Sequence, residues 1–238
     1  MINVRRRSAL RVLEIGRERC RIGPWRGDPG IGYLSPMTHL GPAAVDHATN
    51  VLAQEGYRGV ITGAVGAAER GVYTANGYDI RERLHLLRHP LRHLPALGPA
   101  RIRRAGRRQR AEILDLDRLA FDDFWQLDDA GLDEARGATP ISRFRAAVTQ
   151  DGPVGYTVAG RAGSVSYLQR LAVHPAAQGQ GLGRDLTVDC LHWARRRRCL
   201  SMMVNTQETN HVALALYESL GFNRQPHGLY VLQRDLNR

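Results

Sequence analysis

The chain has 238 residues, 43% hydrophobic and 24% charged, a balance typical of a globular protein with one large core or two modest ones. All 34 basic residues are arginine, and the net charge of +11 favours polyanionic partners such as nucleic acid, the ribosome or a phosphate-rich cofactor. No apolar run reaches the ~20 residues that span a bilayer. Met1–Arg21 lacks the apolar core of a signal peptide, and three scattered cysteines suit a reducing compartment, so we expect a cytoplasmic protein without membrane contact.

Taken in order, the first ninety residues alternate strands with helices. Helical spacing of apolar residues and terminating glycines separate the helices from short apolar strands. The predicted elements are a strand at Leu10–Ile15, a helix at Val45–Gln54, a strand at Gly59–Thr62, a helix at Ala67–Asn76 and a strand at Leu84–His89.

Three histidines near the end of this half are four residues apart. On a helix, His85, His89 and His93 would form one metal-binding face. The segment 84–89 has a strand pattern, however, and Pro90 prevents a continuous helix beyond it. We therefore predict no metal site.

A linker and an arginine run come next. Residues 93–100, with Pro95 and Gly98, have linker composition. Six of the ten residues from Arg101 to Arg110 are arginine. The run suits a nucleic-acid arm, or a first strand followed by an exposed helix start, and its lack of aromatic residues favours the second interpretation.

The remaining elements predict a mixed α/β domain. They are a helix at Ile113–Phe121, strands at Ser142–Val148, Val154–Gly160 and Ser164–Val173, a helix at Arg184–Arg197, a strand at Leu200–Asn205, a helix at Asn210–Leu220 and a strand at Gly228–Leu236.

The most informative stretch joins the strand ending at Val173 to the helix beginning near Arg184. Three glycines alternate there, and a glycine loop before a helix start offers main-chain N–H groups to a phosphate. A Walker loop is excluded because the chain has no lysine. The dinucleotide fingerprint G-x-G-x-x-G would require glycine at position 184. A third pattern, Q/R-x-x-G-x-G/A, is met by Gln178, Gly181 and Gly183.

This third pattern resembles the coenzyme A loop of the GCN5-related N-acetyltransferases, the GNAT family. The segment Asn210–Phe222 is similar to a second signature of that family, N-x-x-A-x-x-L-Y-x-x-x-G-F. The likeness covers roughly residues 101–238, and locally it is greatest to ribosomal-protein alanine acetyltransferases. It implies a GNAT fold, a mixed and mostly antiparallel sheet flanked by helices.

The resemblance also implies acetyl-CoA as co-substrate. The residues it assigns to cofactor binding are Leu171, Ala172, Val173, Gln178, Gly179, Gln180, Gly181, Leu182, Gly183, Arg184 and Asn210. The strand Leu171–Val173 would pair with the pantetheine amides, and the Val173 N–H would stabilise the developing oxyanion.

Catalytic roles follow from the same likeness. Tyr217 is the expected general acid, the alternative being a tyrosine packed in the core. The base is less clearly marked, because Asn205 stands where the alanine acetyltransferases carry a glutamate. Glu208 is the substitute we name, with His211 or ordered water as alternatives.

An internal repeat completes the domain prediction. Tyr73–Tyr78 matches Tyr217–Phe222, yet the first half has no glycine loop. We therefore predict an incomplete, non-catalytic GNAT-like domain at 1–92, a linker at 93–100 and a catalytic domain at 101–238. The predicted activity is transfer of an acetyl group from acetyl-CoA to a primary amine, on a protein N-terminus or a small molecule, by a monomer or homodimer. The alternative is a non-catalytic tandem GNAT that binds coenzyme A or nucleic acid, including the ribosome.

Overall fold

The computed structural model describes residues 10–237, so the beginning of the segment Met1–Arg21 lies outside the described residues. The strands are β1 Arg11–Ile15, β2 Glu18–Pro24, β3 Ile31–Pro36, β4 Gly59–Thr62, β5 Val65–Gly66, β6 Asp79–His89, β7 Ile102–Arg104, β8 Ile141–Val148, β9 Pro153–Ala162, β10 Val165–Val173, β11 Ser201–Gln207, β12 Asn223–Arg224 and β13 Leu229–Asp235. The helices are α1 Pro42–Gln54, α2 Ala67–Ala75, α3 Arg110–Ala120, α4 Asp129–Gly137, α5 Leu182–Arg196 and α6 His211–Ser219.

The chain folds into two compact units. Unit 1 takes in the residues up to 85 and those from 226 onward, and unit 2 is 86–225. The last strand, β13, belongs to unit 1 because it pairs with β4, β5 and β6 there. These bounds differ from the predicted division at 1–92, 93–100 and 101–238 in two places. The C-terminal strand lies with the first half of the chain, and residues 86–100 lie with the second.

Unit 1 is a sheet in the order β1-β2-β3-β4-β13-β6, with α1 and α2. Neighbouring strands are antiparallel except β3 and β4, which are parallel and joined through α1. Apolar residues recur along one face of α1, so that Val45, Ala48 and Leu52 are fully buried. They share a core with Leu34 and with Leu232 of β13.

Unit 2 has the strand order β11-β10-β9-β8-β7, antiparallel except for the parallel pair β10 and β11. Its helices cover separate cores. Residues of α5 and α6 share one core with Ala159, while α3 and α4 share another with Val158. Adjacent residues of β9 thus enter different cores, as side-chain alternation along a strand requires. The predicted mixed, mostly antiparallel α/β fold is confirmed.

The predicted linker is fastened to α5. The His192 imidazole Nε2 lies 2.8 Å from the Pro95 carbonyl oxygen, and the Ala100 N–H donates to the Asp185 carboxylate at 3.1 Å. At Gly98 a Cβ would lie 1.7 Å from Asp185 Oδ1, so this close approach requires glycine. The segment therefore packs as part of unit 2.

Candidate active site

The glycine loop between β10 and α5 presents bare main chain. Gly179 and Gly181 have φ angles of +75° and +80°, in the left-handed region that favours glycine. No other atom of residues 10–237 lies within 4 Å of the position a Cβ would take at either residue. Gln178, Gly179, Gln180 and Gly181 are all exposed. The loop is therefore open to a ligand, and a side chain at position 179 or 181 would strain the backbone.

The first turn of α5 adds unpaired donors to this loop. The first helical hydrogen bond runs from the Asp185 N–H to the Gly181 carbonyl, at 3.0 Å. The N–H groups of Leu182, Gly183 and Arg184 precede it and have no intrahelical acceptor. They lie at the positive end of the helix dipole, next to the exposed guanidinium of Arg184. This arrangement suits an anion such as a phosphate.

Strands β10 and β11 separate beside the loop. Their parallel pairing runs from Val165 and Ser201 to Leu168 and Val204 and then stops, although both strands continue. A register shift between Leu168 and Arg170 marks a bulge against β9 at the same level. Beyond it, β10 remains paired with β9 as far as Val173. Within the described residues, one edge of 171–173 is therefore left without a strand partner.

Hydrogen bonds show which groups face that edge. The His174 N–H donates to the carbonyl of Val154, the second residue of β9, at 2.9 Å. Because donors alternate in direction along an antiparallel pair, the Val173 N–H points away from β9, toward the gap. The Val173 carbonyl accepts a hydrogen bond from Gln178 Nε2 at 3.1 Å. Gln178 thereby ties the loop to the end of β10, a contact that the sequence motif does not reveal.

Tyr217 is a residue of α6 and lies in the core that α5 and α6 share. Its side chain is 5% exposed, and its ring centroid is 5.5 Å from that of Phe222. Leu168 and Val204, the last paired residues of β10 and β11, belong to the same cluster. Burial raises the pKa of the Tyr217 phenol well above its ordinary value, so the group is protonated at neutral pH.

The other polar candidates follow one another along the β11–α6 connection. Asn205 and Glu208 are exposed, the first within β11 and the second in the turn that follows. The Asn210 side chain accepts from the Ala213 N–H at 3.0 Å and so caps α6. His211 is exposed in the first turn of α6.

The corresponding place in unit 1 is closed to an anion. Helix α1 begins after Gly41, and the Gly41 N–H already donates to the Glu18 carboxylate at 3.0 Å. Pro42, the next residue, has no N–H to offer. Strands β3 and β4 stay paired through Leu34 and Thr62, the end of β4. Tyr73, the repeat counterpart of Tyr217, is 1% exposed.

A buried polar network in unit 2 escaped the sequence analysis. The fully buried Asp117 carboxylate of α3 accepts from Arg170 Nε at 2.8 Å, from Arg170 Nη2 at 2.6 Å and from the Leu127 N–H at 2.7 Å. The Tyr156 hydroxyl also donates to it. Arg170 in turn donates to the Trp125 carbonyl at 2.8 Å. The network joins the bulge of β10 to the connection between α3 and α4.

One signal for this network was present in the sequence. Along β10, every second residue from Ser166 to Ala172 is buried, and Arg170 falls on that inward phase. An arginine on an inward phase requires a buried partner. Its partner, Asp117, is 53 residues away in the chain, and no local pattern identifies it.

Three further properties of the described residues concern metal binding, cysteine reactivity and membrane crossing. Among residues 10–237, no group of three or more His, Cys, Asp or Glu side chains is arranged to hold a metal ion. Cys20, Cys190 and Cys199 are buried free thiols, and burial raises the pKa of Cys20 and of Cys190 to about 11. In the same part of the chain, no helix combines the length and apolar character needed to cross a membrane.

Comparison with known proteins agrees with this geometry. Residues 110–222 match the acetyltransferase (GNAT) family. These residues form a GNAT-family domain. The match contains the glycine loop, the separated strands and Tyr217, and it lies within unit 2.

The relatives share either a short segment or the fold. Mycothiol acetyltransferases of Thermomonospora curvata and Acidothermus cellulolyticus are each 52% identical, over 54 and 52 residues, or 23% and 22% of this chain. The matched segments span 18% and 16% of those relatives. A tandem GNAT protein from the clavulanic acid biosynthesis pathway superposes with a TM-score of 0.67 at 15% identity, covering 94% of this chain and 81% of that one. A GCN5-related N-acetyltransferase from Kribbella flavida gives 0.63 at 15% identity, covering 95% and 90%.

Proposed function

We propose that unit 2 transfers an acetyl group from acetyl-CoA to a primary amine, on a protein N-terminus or a small molecule. The observation that carries this proposal is the open glycine loop next to the place where β10 and β11 part. A helix start that suits an anion and an unpaired strand edge follow one another along the chain there. Together they suit a ligand that has a pyrophosphate and an amide-bearing arm.

Named residues have distinct roles in this proposal. The loop 178–181 and the N–H groups of 182–184 hold the phosphates, and the free edge of 171–173 pairs with the arm. The ligand supplies an acyl thioester. The Val173 N–H points into the gap, where it stabilises negative charge on the acyl oxygen. The C–N bond forms as the C–S bond breaks, and Tyr217 gives its proton to the departing sulfur.

The incoming amine must also lose a proton. Glu208 is the carboxylate we assign to this step, directly or through water, because it lies on the connection that follows β11. Asn205 cannot accept the proton and would orient water instead. Unit 1 carries no catalytic role in this proposal, because Glu18 and Pro42 remove the donors that a phosphate would need.

Cofactor binding is tested with Gly181→Trp. We expect calorimetry to show coenzyme A binding to the wild type and loss of about tenfold or more in affinity in the variant, because the indole fills the open bend. Gly163→Trp is the matched control, since Gly163 is also a left-handed glycine (φ +58°) with no neighbour within 4 Å of a Cβ. Equal affinities in all three proteins would refute the loop assignment.

Turnover is tested separately with Tyr217→Phe. Thiol release from acetyl-CoA in the presence of an amine panel should fall about 100-fold or more, while coenzyme A affinity stays near wild type, because the phenyl ring keeps the packing and removes the proton. Coenzyme A binding without any turnover in the wild type would instead identify a non-catalytic binding module.

A further inference from the structure

A second cationic feature of unit 2 lies apart from the glycine loop. A cavity of about 430 Å³ opens between β7, the first half of β8 and the C-terminal end of α5. Trp193 of α5 lines it, and about 18 Å of helix separates Trp193 from Gly181 at 1.5 Å per residue. The proposed acetyl transfer uses none of the cavity residues.

The cavity wall carries a large excess of positive charge. Five arginines face it, Arg104, Arg136, Arg143, Arg145 and Arg197, and its described lining contains no acidic residue. The Asp189 carboxylate, which is 8% exposed, accepts from Arg143 Nη1 and, at 3.0 Å, from Nη2. The exposed Asp133 carboxylate of α4 lies 3.8 Å from Arg136 Nη1. Two carboxylates thus face five guanidinium groups.

The charge of Arg145 is poorly compensated. Its Nε is buried and, within the described residues, makes no hydrogen bond, while Nη2 donates to the Ile102 carbonyl at 3.0 Å. The Asp189 carboxylate is 4.0 Å from Nε. Burial, and then the neighbouring charge of Arg143, lowers the pKa of Arg145. A half-buried cation that shares its carboxylate with Arg143 is costly, and a bound anion relieves that cost.

Aromatic side chains give the cavity a defined shape. The Arg136 guanidinium lies 5.2 Å from the Phe144 ring centroid, and that of Arg143 lies 5.9 Å from the Trp193 ring. Arginines held against rings keep their forked donors oriented, and the volume falls within the range of small-ligand pockets, about 300–1,000 Å³. A flat basic surface for a long polymer would have neither property.

We infer that this cavity is a binding site for a compact polyanion, a small molecule carrying two or more phosphate groups. Arg145 and Arg143 form its base, and Arg104, Arg136 and Arg197, all exposed, complete the rim. The site is distinct from the glycine loop, and it holds whether or not the loop binds coenzyme A.

Calorimetry with inorganic tripolyphosphate tests the inference on the full chain at about 0.15 M salt, where surface attraction is screened over ~8 Å. Every protein carries Gly181→Trp, so that the loop does not contribute. We expect one binding event, weakened about tenfold or more by Arg104→Gln with Arg197→Gln. The matched control is Arg107→Gln with Arg108→Gln, which removes the same charge from exposed residues near β7 that do not line the cavity. It should change the affinity less than twofold.

Three outcomes overturn the inference. Tripolyphosphate fails to bind, or both double variants weaken binding equally, which would indicate general attraction to a basic protein. In the third, a short single-stranded RNA binds and is weakened by Arg104→Gln with Arg197→Gln while tripolyphosphate does not bind, and the cavity then contacts a nucleic-acid backbone. Because the loop is blocked throughout, failure here leaves the coenzyme A experiment unaffected.

Discussion

At the scale of single residues, Arg170 and Asp117 place two opposite charges inside unit 2, where losing one of them lowers the free energy of unfolding. Asp117 has no exposed surface, and Arg170 is 9% exposed with its guanidinium 3.4 Å from the Phe121 ring centroid. Removing one charge of such a pair leaves the other desolvated and uncompensated. The pair therefore decides how the α3–α4 connection is held on β10.

This cost is measurable in a double-mutant cycle. Asp117→Asn should lower the free energy of unfolding by about 3–5 kcal/mol, because Arg170 keeps its charge in a buried site. Arg170→Met added to it should restore part of the loss, giving a coupling energy of about 1–3 kcal/mol in denaturant titrations. Asp115→Asn, which breaks an exposed pair with Arg118 on the same helix, should leave stability near wild type. Additive losses from the two buried substitutions would contradict the pairing argument.

At the scale of elements, the candidate active site shows what local sequence can and cannot predict. The loop Gln178–Gly181 was predictable because positive φ angles and a helix start are properties of adjacent residues. The separation of β10 from β11 was not, since it depends on three strands in register and on the bulge near Arg170. The cavity was likewise not predictable, because its arginines come from β7, β8, α4 and the residue that follows α5. Motifs located the candidate site, and long-range pairing determines its shape.

A buried histidine links the end of β6 to the residue that follows α6. His89, at the end of β6, is 2% exposed, and its Nδ1 accepts from the Leu91 N–H at 2.9 Å. Nε2 therefore carries the proton and donates to the Leu220 carbonyl, just beyond α6, at 3.1 Å. Burial lowers the pKa of His89, and the bond to Leu220 offsets part of that effect. A second proton would break the bond to Leu91.

This predicts a stability that falls in mild acid. Below about pH 6.5 the unfolded chain protonates His89 while the folded chain does not, so the free energy of unfolding falls as the pH falls from about 6.5 toward the lowered folded pKa, by at most about 1.4 kcal/mol per pH unit. Above about pH 6.5 the contribution is constant. His89→Gln should remove this part of the slope, measured by denaturant unfolding between pH 7.5 and 5. His47→Gln, at an exposed position of α1, should leave the slope as in the wild type, and an unchanged slope in His89→Gln would contradict the assignment.

At the scale of the whole molecule, the last strand of the chain, β13, pairs with strands of the first half. The sequence predicted Gly228–Leu236 to be part of the second domain, because the family likeness covers roughly residues 101–238. In the structure, β13 lies between β4 and β6, and the Leu232 N–H donates to Thr62 Oγ1 at 2.9 Å. The pairing partner of a terminal strand is a tertiary property, and the residues 228–236 themselves do not identify β4 and β6 as their neighbours.

The division into units predicts separate responses to core damage. Leu232 of β13 and Leu191 of α5 are both fully buried, in the cores of unit 1 and unit 2. Each substitution to alanine should cost about 2–5 kcal/mol through lost burial and a cavity. Hydrogen exchange followed by mass spectrometry should show faster exchange in β3 and β4 for Leu232→Ala, and in β9 and β10 for Leu191→Ala. If Leu232→Ala instead accelerated exchange in β9 and β10 and spared β4, the C-terminal strand would belong to the second half of the chain, as its sequence suggested.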